Sequence, residues 1–195
     1  MQVRGTVRAQ IVVVLAIAAQ ASLAQAMEFA KGSLALELGV TLSQVHERHI
    51  DYRYDSSSGT NVPSTFDSYR TDWTVSSEVG YFCSSRIEIV VGPLLVLAKR
   101  THVFPGVRAG VQLNLATSAK LIPFVRAQVG AQKYWESSLF LGPIMHAGIR
   151  IPVSSVASVN LSAVYQRESK NPFATEPGNN FGFQLGFSGL GFLGR

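Results

Sequence analysis

The sequence predicts an all-β protein, eight antiparallel strands following one another in chain order and closing as an up-and-down barrel. Three observations lead there. Apolar and polar residues alternate with period two in eight separate runs, and segments containing turn residues separate the runs. The one unbroken apolar stretch lies at the extreme N-terminus and is too short to cross a bilayer as a helix.

That stretch is expected to be a cleaved export signal. Arg4 and Arg8 precede the apolar run 11–19, and Ala24-Gln25-Ala26 supplies a small-x-small cleavage site. Residues 1–26 would then be removed, leaving 27–195, about 169 residues of the 195, as one domain. Without the two signal arginines, the 17 basic residues become 15 against 12 acidic ones, and the formal charge falls from +5 to +3. The basic residues are scattered singly, which argues against a nucleic-acid partner. Hydrophobic residues at 47% exclude a disordered tail, and 17 glycines exclude a helix bundle. Cys83 is the only cysteine, so it forms no internal disulfide and reads as an inert thiol in a turn.

The first strand, expected over 33–45, sets Leu34, Leu36, Leu38, Val40 and Leu42 against Ala35, Glu37, Gly39, Thr41 and Ser43. The second, 72–82, sets Trp73, Val75, Val79 and Tyr81 against Thr74, Ser76, Glu78 and Gly80, with Ser77 out of pattern. The third, 87–98, carries Ile87, Ile89, Val91, Leu95 and Leu97, and its second face is also largely apolar. The fourth, 107–115, is the cleanest, with Val107, Ala109, Val111, Leu113 and Leu115 opposing Arg108, Gly110, Gln112 and Asn114. In 121–133, Val125, Ala127, Val129 and Ala131 oppose Arg126, Gln128, Gly130 and Gln132. In 140–151, Leu141, Met145, Ala147, Ile149 and Ile151 oppose His146, Gly148 and Arg150. The last two, 157–166 and 181–187, alternate Val159, Leu161, Ala163 and Tyr165 with Ser158, Asn160 and Ser162, and Phe181, Phe183, Leu185 and Phe187 with Gly182, Gln184 and Gly186.

The expected connections run 26, 4, 8, 5, 6, 5 and 14 residues, so each odd-numbered one is longer than its even-numbered neighbours. Short periplasmic turns at one end and longer external loops at the other are the pattern of a transmembrane barrel. The placement of charge selects that reading over a soluble barrel. Glu37, Glu78, Glu88, Arg108, Arg126, His146 and Arg150 all fall on the polar face, and the apolar face carries no ionisable group within a run. An Arg facing the bilayer midplane costs about 2–4 kcal/mol, and an unpaired backbone amide in lipid is so costly that the sheet must close. The Leu, Val and Ala face therefore belongs in lipid. The seven ionisable residues are expected to form a charge network that plugs the lumen, since eight strands leave an interior only wide enough for side chains. Trp73, Tyr81, Tyr134, Trp135, Tyr165, Phe181 and Phe187 lie towards strand ends, where aromatic girdles belong. Pro93 is expected to mark a bulge and Pro143 to begin its strand.

The segment Asn180-Phe181-Gly182-Phe183-Gln184-Leu185-Gly186-Phe187 resembles the C-terminal assembly signal of small bacterial outer-membrane β-barrel proteins, written polar-x-Gly-x-x-apolar-x-aromatic. That porin-like group includes the transmembrane domain of outer-membrane protein A and the outer-membrane proteins X and W. The resemblance is one of pattern over nearly the whole mature chain. It implies that Asn180, Gly182, Leu185 and Phe187 are read by the barrel-assembly machinery. Members commonly end on the aromatic residue, whereas here 188–195 follow, so the last strand ends at Phe187 or at Phe192. The resemblance further implies a location in the outer membrane, among outer-membrane lipid. It also implies a structural or surface-interaction role, or a narrow channel for small hydrophobic molecules; the inward Val90, Leu94, Val96, Ile122 and Phe124 motivate the channel reading.

Enzyme chemistry finds little support. A lipid-A-modifying barrel needs a His, a Ser and a carboxylate gathered at the membrane rim. The available sets are His46, His49 and Asp51 with Ser56, Ser57 and Ser58, or His146 with Glu37, and neither contains a His-x-Ser arrangement. His46-Glu47-Arg48-His49 lacks the further ligands of a metal site, and no cofactor fingerprint is present. The segment 47–70 reads as the longest loop, with Asn61-Val62-Pro63 at its tip. Its Tyr, Ser, Asp and Arg content suits contact with a host molecule or another surface ligand.

Overall fold

The computed structural model describes residues 29–55, 57, 59–98, 102–117, 119–134, 137–168 and 178–192, so the expected export signal lies outside the described residues. Eight strands follow in chain order: β1 (Ser33–Asp55), β2 (Thr60–Phe82), β3 (Ile87–Ala98), β4 (His102–Asn114), β5 (Ile122–Tyr134), β6 (Ser137–Pro152), β7 (Ala157–Glu168) and β8 (Asn179–Phe192). Each pairs antiparallel with the next, and β1 pairs with β8, so the sheet closes into a barrel. No helix of the described chain is long and apolar enough to cross a membrane.

Alternation sets which side chain faces which way, because successive residues of a strand point to opposite sides. On β1, Leu36, Leu38, Val40 and Leu42 are exposed on the outer wall while Ala35, Glu37 and Thr41 are buried inside. The same inversion runs round the ring: Phe183 is 77% exposed and Arg126 only 2%. The interior is the polar side of this molecule and the outer surface is its oily side.

Two ends differ. The start of β1, the end of β8 and the turns 83–86, 115–121 and 153–156 lie at one end, where Cys83 follows β2 as a free, half-buried thiol. At the other end β1 and β2 run far past their neighbours as a 23-residue pair joined at 56–59, with Gly59 taking a positive φ of 64°. The expected long loop is therefore strand: 46–55 and 60–71 continue the ladder pair by pair, His46 opposite Tyr69 and Asp55 opposite Thr60. Asn61-Val62-Pro63 sits within β2, not at the tip. The difference between the two ends is carried mostly by strand that overshoots, and less by loop.

Both prolines depart from expectation, and Pro143 lies inside β6 and does not begin it. At Pro93 the ladder to β4 is unbroken, and to β2 the register is the same on both sides, Ser76 opposite Leu94 and Val79 opposite Val91. Pro93 makes no bulge; it leaves a gap in which Ser77 and Glu78 face Pro93 and Gly92 without pairing. The bulge lies in β6, where registers with β5 and β7 both shift about Gly142-Pro143. Proline at 93 withholds the N–H that Ser77 would receive, so pairing lapses locally, whereas a displaced register needs an extra residue. Gly92 permits the close approach: a Cβ there would meet the backbone of Ser77 and lie 2.7 Å from Glu78 Cα. Replacing Pro93 with valine restores a donor and is expected to stabilise the barrel by about 0.5–1.5 kcal/mol in urea titrations. An unchanged or lowered midpoint would show that the missing N–H does not cause the gap.

Candidate functional site

The lumen is filled upward from the end where β1 begins and β8 finishes. Lowest lies an apolar plug of Phe29, Ala35, Phe82 and Ile122, in which the Phe29 and Phe82 rings stack at 4.9 Å. Arg150 lies over Phe29, 5.0 Å from the ring centroid, and joins this plug to the charges above.

Those charges come from six strands because alternation turns each side chain inward. Arg126 on β5 is the hub. Its Nη1 donates to Glu78 Oε2 at 2.6 Å, its Nη2 to Glu37 Oε2 at 2.7 Å and its Nε to Gln112 Oε1 at 2.8 Å. Arg108 Nε donates to the other oxygen of Glu78 at 2.5 Å, and Arg150 Nη2 to Glu88 Oε2 at 3.2 Å. Gln128 and Asn160 donate to Glu78 and Glu37, so the carboxylates hold neutral partners as well. Three guanidinium groups thus face three carboxylates, all at most 5% exposed. Burying a charge without its partner is expensive, so this balance is what makes the interior tenable. His146 lies on the same wall but outside the ion pairs; its Nδ1 is 3.5 Å from Ser162 Oγ.

A second set of ion pairs closes the far mouth. Arg70 donates to Glu47 at 2.5 Å and to Asp72 at 2.8 Å, and lies 3.8 Å from Glu168. Asn180 donates to Glu168 at 2.5 Å. Sequence reading missed this set because it ended the strands early. The signal was present, since Glu47 continues the parity of Glu37, and Arg70 and Asp72 that of Glu78. Between the two sets, a cavity of about 20 Å³ bordered by Thr41, Asp72, Arg108 and Gln166 has room for little more than one water. Beside it, Leu94, Val96, Phe104, Ile144 and Val164 form an apolar cluster in the wall.

Of the aromatic positions, Trp73, Tyr81, Phe181 and Phe187 are exposed on the outer wall, and Tyr165 packs on Phe181 at 5.0 Å. Phe187 stands opposite Leu38, halfway along the apolar run of β1, so it belongs to a stripe along β8 and not to a rim. Tyr134 ends β5, and Trp135 lies outside the described residues. Of the assembly-signal positions, Asn180 and Gly182 face inward and Leu185 and Phe187 outward, and β8 continues to Phe192.

The projecting hairpin has two faces of its own. His46 stacks on Tyr69 and contacts Asp67 at 3.2 Å on one face, whereas His49 stacks on Phe66 and meets Ser68 at 3.1 Å on the other. A hydrogen bond from Arg48 holds the Asp67 carboxyl below the usual carboxylate range. The histidines considered for hydrolysis are thus on opposite faces. Ser57 is bound to Asp55, and Ser56 and Ser58 lie outside the described residues. Glu37 is held by Arg126 and Asn160, not by His146. Among the described residues no three His, Cys, Asp or Glu side chains gather to hold a metal.

An apolar outer wall, a charged interior and a closed ring of eight can be compared with solved structures. The N-terminal β-barrel domain of Pseudomonas aeruginosa OprF matches 84% of this chain and all of its own, at 13% identity and a TM-score of 0.52. The outer membrane protein OprG of the same organism matches 85% of this chain and 99% of its own, at 10% identity and 0.52. The chain has the fold of the eight-stranded outer-membrane barrels. Outer membrane protein AlkL, solved in lipid bilayers, extends the likeness to 88% of this chain and 96% of its own, at 14% identity and 0.52. No family model matches this barrel's sequence, and no curated protein sequence matches it.

Proposed function

We propose that this chain is an integral protein of the bacterial outer membrane whose lumen is plugged by side chains and whose work is done at the cell surface by the β1–β2 hairpin. The observation that carries this reading is the inverted distribution of charge, with six buried ionic groups inside and exposed Leu, Val and Phe outside. Water would not tolerate that outer wall as a free surface, since a soluble chain rarely exposes so large an apolar patch. Exported through residues 1–26 and inserted by the barrel-assembly machinery, the barrel would place its termini in the periplasm and the hairpin outside. There Tyr52, Tyr54 and Tyr69, each more than 60% exposed, supply large contact surfaces for a host or surface ligand.

Protease added to whole cells is expected to cut within 47–70, and unheated protein in detergent should migrate differently from boiled protein on a denaturing gel. Co-migration of the two samples, together with recovery of the protein in the soluble periplasm, would overturn the reading. A second reading, a narrow channel for small hydrophobic molecules, draws on the apolar cluster of Leu94, Val96, Phe104, Ile144 and Val164 beside the upper cavity. It requires solute uptake to fall in a deletion strain, and unchanged uptake with no conductance in planar bilayers would remove it.

A further inference from the structure

Beyond the barrel rim, β1 loses its β8 neighbour after His46, which pairs with Asn179, and β2 gains its β3 neighbour only at Trp73. The hairpin between is a two-stranded ribbon whose edges have no described strand beside them. Unpaired strand edges are templates for another strand. The two edges are not equivalent. Pro63 on β2 stands opposite Tyr52. Having no N–H, it cannot form a hydrogen-bonded pair with Tyr52, so its missing donor lies on the outer edge of β2 and blocks that edge. The same pair sets the direction of β1: Arg48, Ile50, Tyr52 and Tyr54 turn their N–H and C=O groups away from β2. From Glu47 to Asp55 that edge contains no proline.

We propose that the outward edge of β1 over Ile50–Tyr54 pairs with the same edge of a second copy of this chain, antiparallel about a two-fold axis at Tyr52. In this alignment Tyr52 exchanges both backbone hydrogen bonds with its own counterpart, and Ile50 does so with Tyr54 of the second copy. The side chains then sort by charge. Asp51 falls opposite Arg53 of the second copy and His49 opposite Asp55, and symmetry repeats each pair. These are the non-hydrogen-bonded positions, where facing side chains lie closest. Among the described residues, Asp51 and Arg53 have no ion pair within their own chain, so both are available. Moving the axis by one residue, to Asp51 or to Arg53, sets like charges opposite each other. Moving it to Ile50 would place Tyr54 opposite His46, whose edge Asn179 already occupies. Of the axes from Ile50 to Arg53, the one at Tyr52 satisfies both charge and backbone.

The inference rests on the reading that the hairpin stands outside the cell. β1 leaves every membrane in the same sense, so antiparallel pairing joins copies seated in two facing membranes. The nine residues from Glu47 to Asp55 reach roughly 30 Å at strand rise, enough to lift Tyr52 clear of the rim.

The protein is reconstituted into two populations of phosphatidylcholine vesicles carrying donor and acceptor lipid dyes, and tethering is read as energy transfer. Wild-type vesicles are expected to tether. Asp51→Arg or Arg53→Asp, used alone in both populations, is expected to cut the signal at least tenfold. Mixing Asp51→Arg vesicles with Arg53→Asp vesicles should restore it, because the introduced arginine then faces the introduced aspartate and the native pair remains intact. Wild-type vesicles that stay apart, single variants that tether like wild type, or a mixture that stays dark would each overturn the inference. A heat-shifted gel band establishes that each variant is folded. If whole-cell protease cuts the hairpin while the vesicles stay apart, the surface reading stands and the partner is not a second copy.

Discussion

Replacing Arg126 with leucine is expected to lower the unfolding free energy of the barrel by roughly 3–5 kcal/mol, the cost of leaving a buried partner charge uncompensated. Arg126 is the single residue that binds Glu37, Glu78 and Gln112 together, and its side chain is 1% exposed. Without it, Glu78 keeps Arg108, but Glu37 keeps only Asn160 and a distant Arg150 at 3.9 Å. Urea titration in detergent, read by the heat-shifted gel band, gives the number. The combined Glu37→Gln, Arg126→Leu variant should recover part of the loss, because it removes one carboxylate together with its partner and leaves Glu78 paired with Arg108 and Glu88 with Arg150. If Arg126→Leu unfolds within about 0.5 kcal/mol of wild type, the penalty of a buried charge is missing. Water would then reach the network, and the lumen would not be sealed.

The second large effect compares two positions on one face of one strand. Leu38→Arg is expected to cost about 2–4 kcal/mol, because the guanidinium would face the bilayer core. Ile50→Arg, twelve residues further along the same face of β1, should change stability by less than about 0.5 kcal/mol, the usual range for a surface site. Both side chains stand on the same face of β1, Leu38 beside Phe187 of β8 within the barrel wall and Ile50 opposite Thr65 on the ribbon beyond it. Spin labels at Leu38, Val111 and Leu161 should correspondingly report acyl chains. Equal effects at 38 and 50, or labels that report water, would mean that the oily wall is not solvated by lipid.

The barrel was legible in the sequence because closure and alternation obey one rule. Once Leu38 is taken as outward, Glu37 must be inward, and the same logic places Arg108, Arg126 and Arg150 without knowledge of which acid each meets. Pairing itself was not legible, because Arg126 and Glu37 are 89 residues apart and meet across the lumen. The hairpin was misread as loop because alternation was sought in apolar residues. Ile50, Tyr52 and Tyr54 do alternate with His49, Asp51 and Arg53, but both faces of a ribbon in water are polar enough to hide the period. The glycines and prolines gave the opposite difficulty. Gly92-Pro93 and Gly142-Pro143 are the same dipeptide in sequence, and only the neighbouring strands decide that one opens a gap and the other shifts a register.

The gap at Pro93 gives the cylinder an uneven strength round its circumference. The stave joining the first strand to the last is held along fourteen residue pairs, whereas β2 and β3 share eight. Under load, a wall stitched this way is expected to part first between β2 and β3, while the closing seam between β1 and β8 holds.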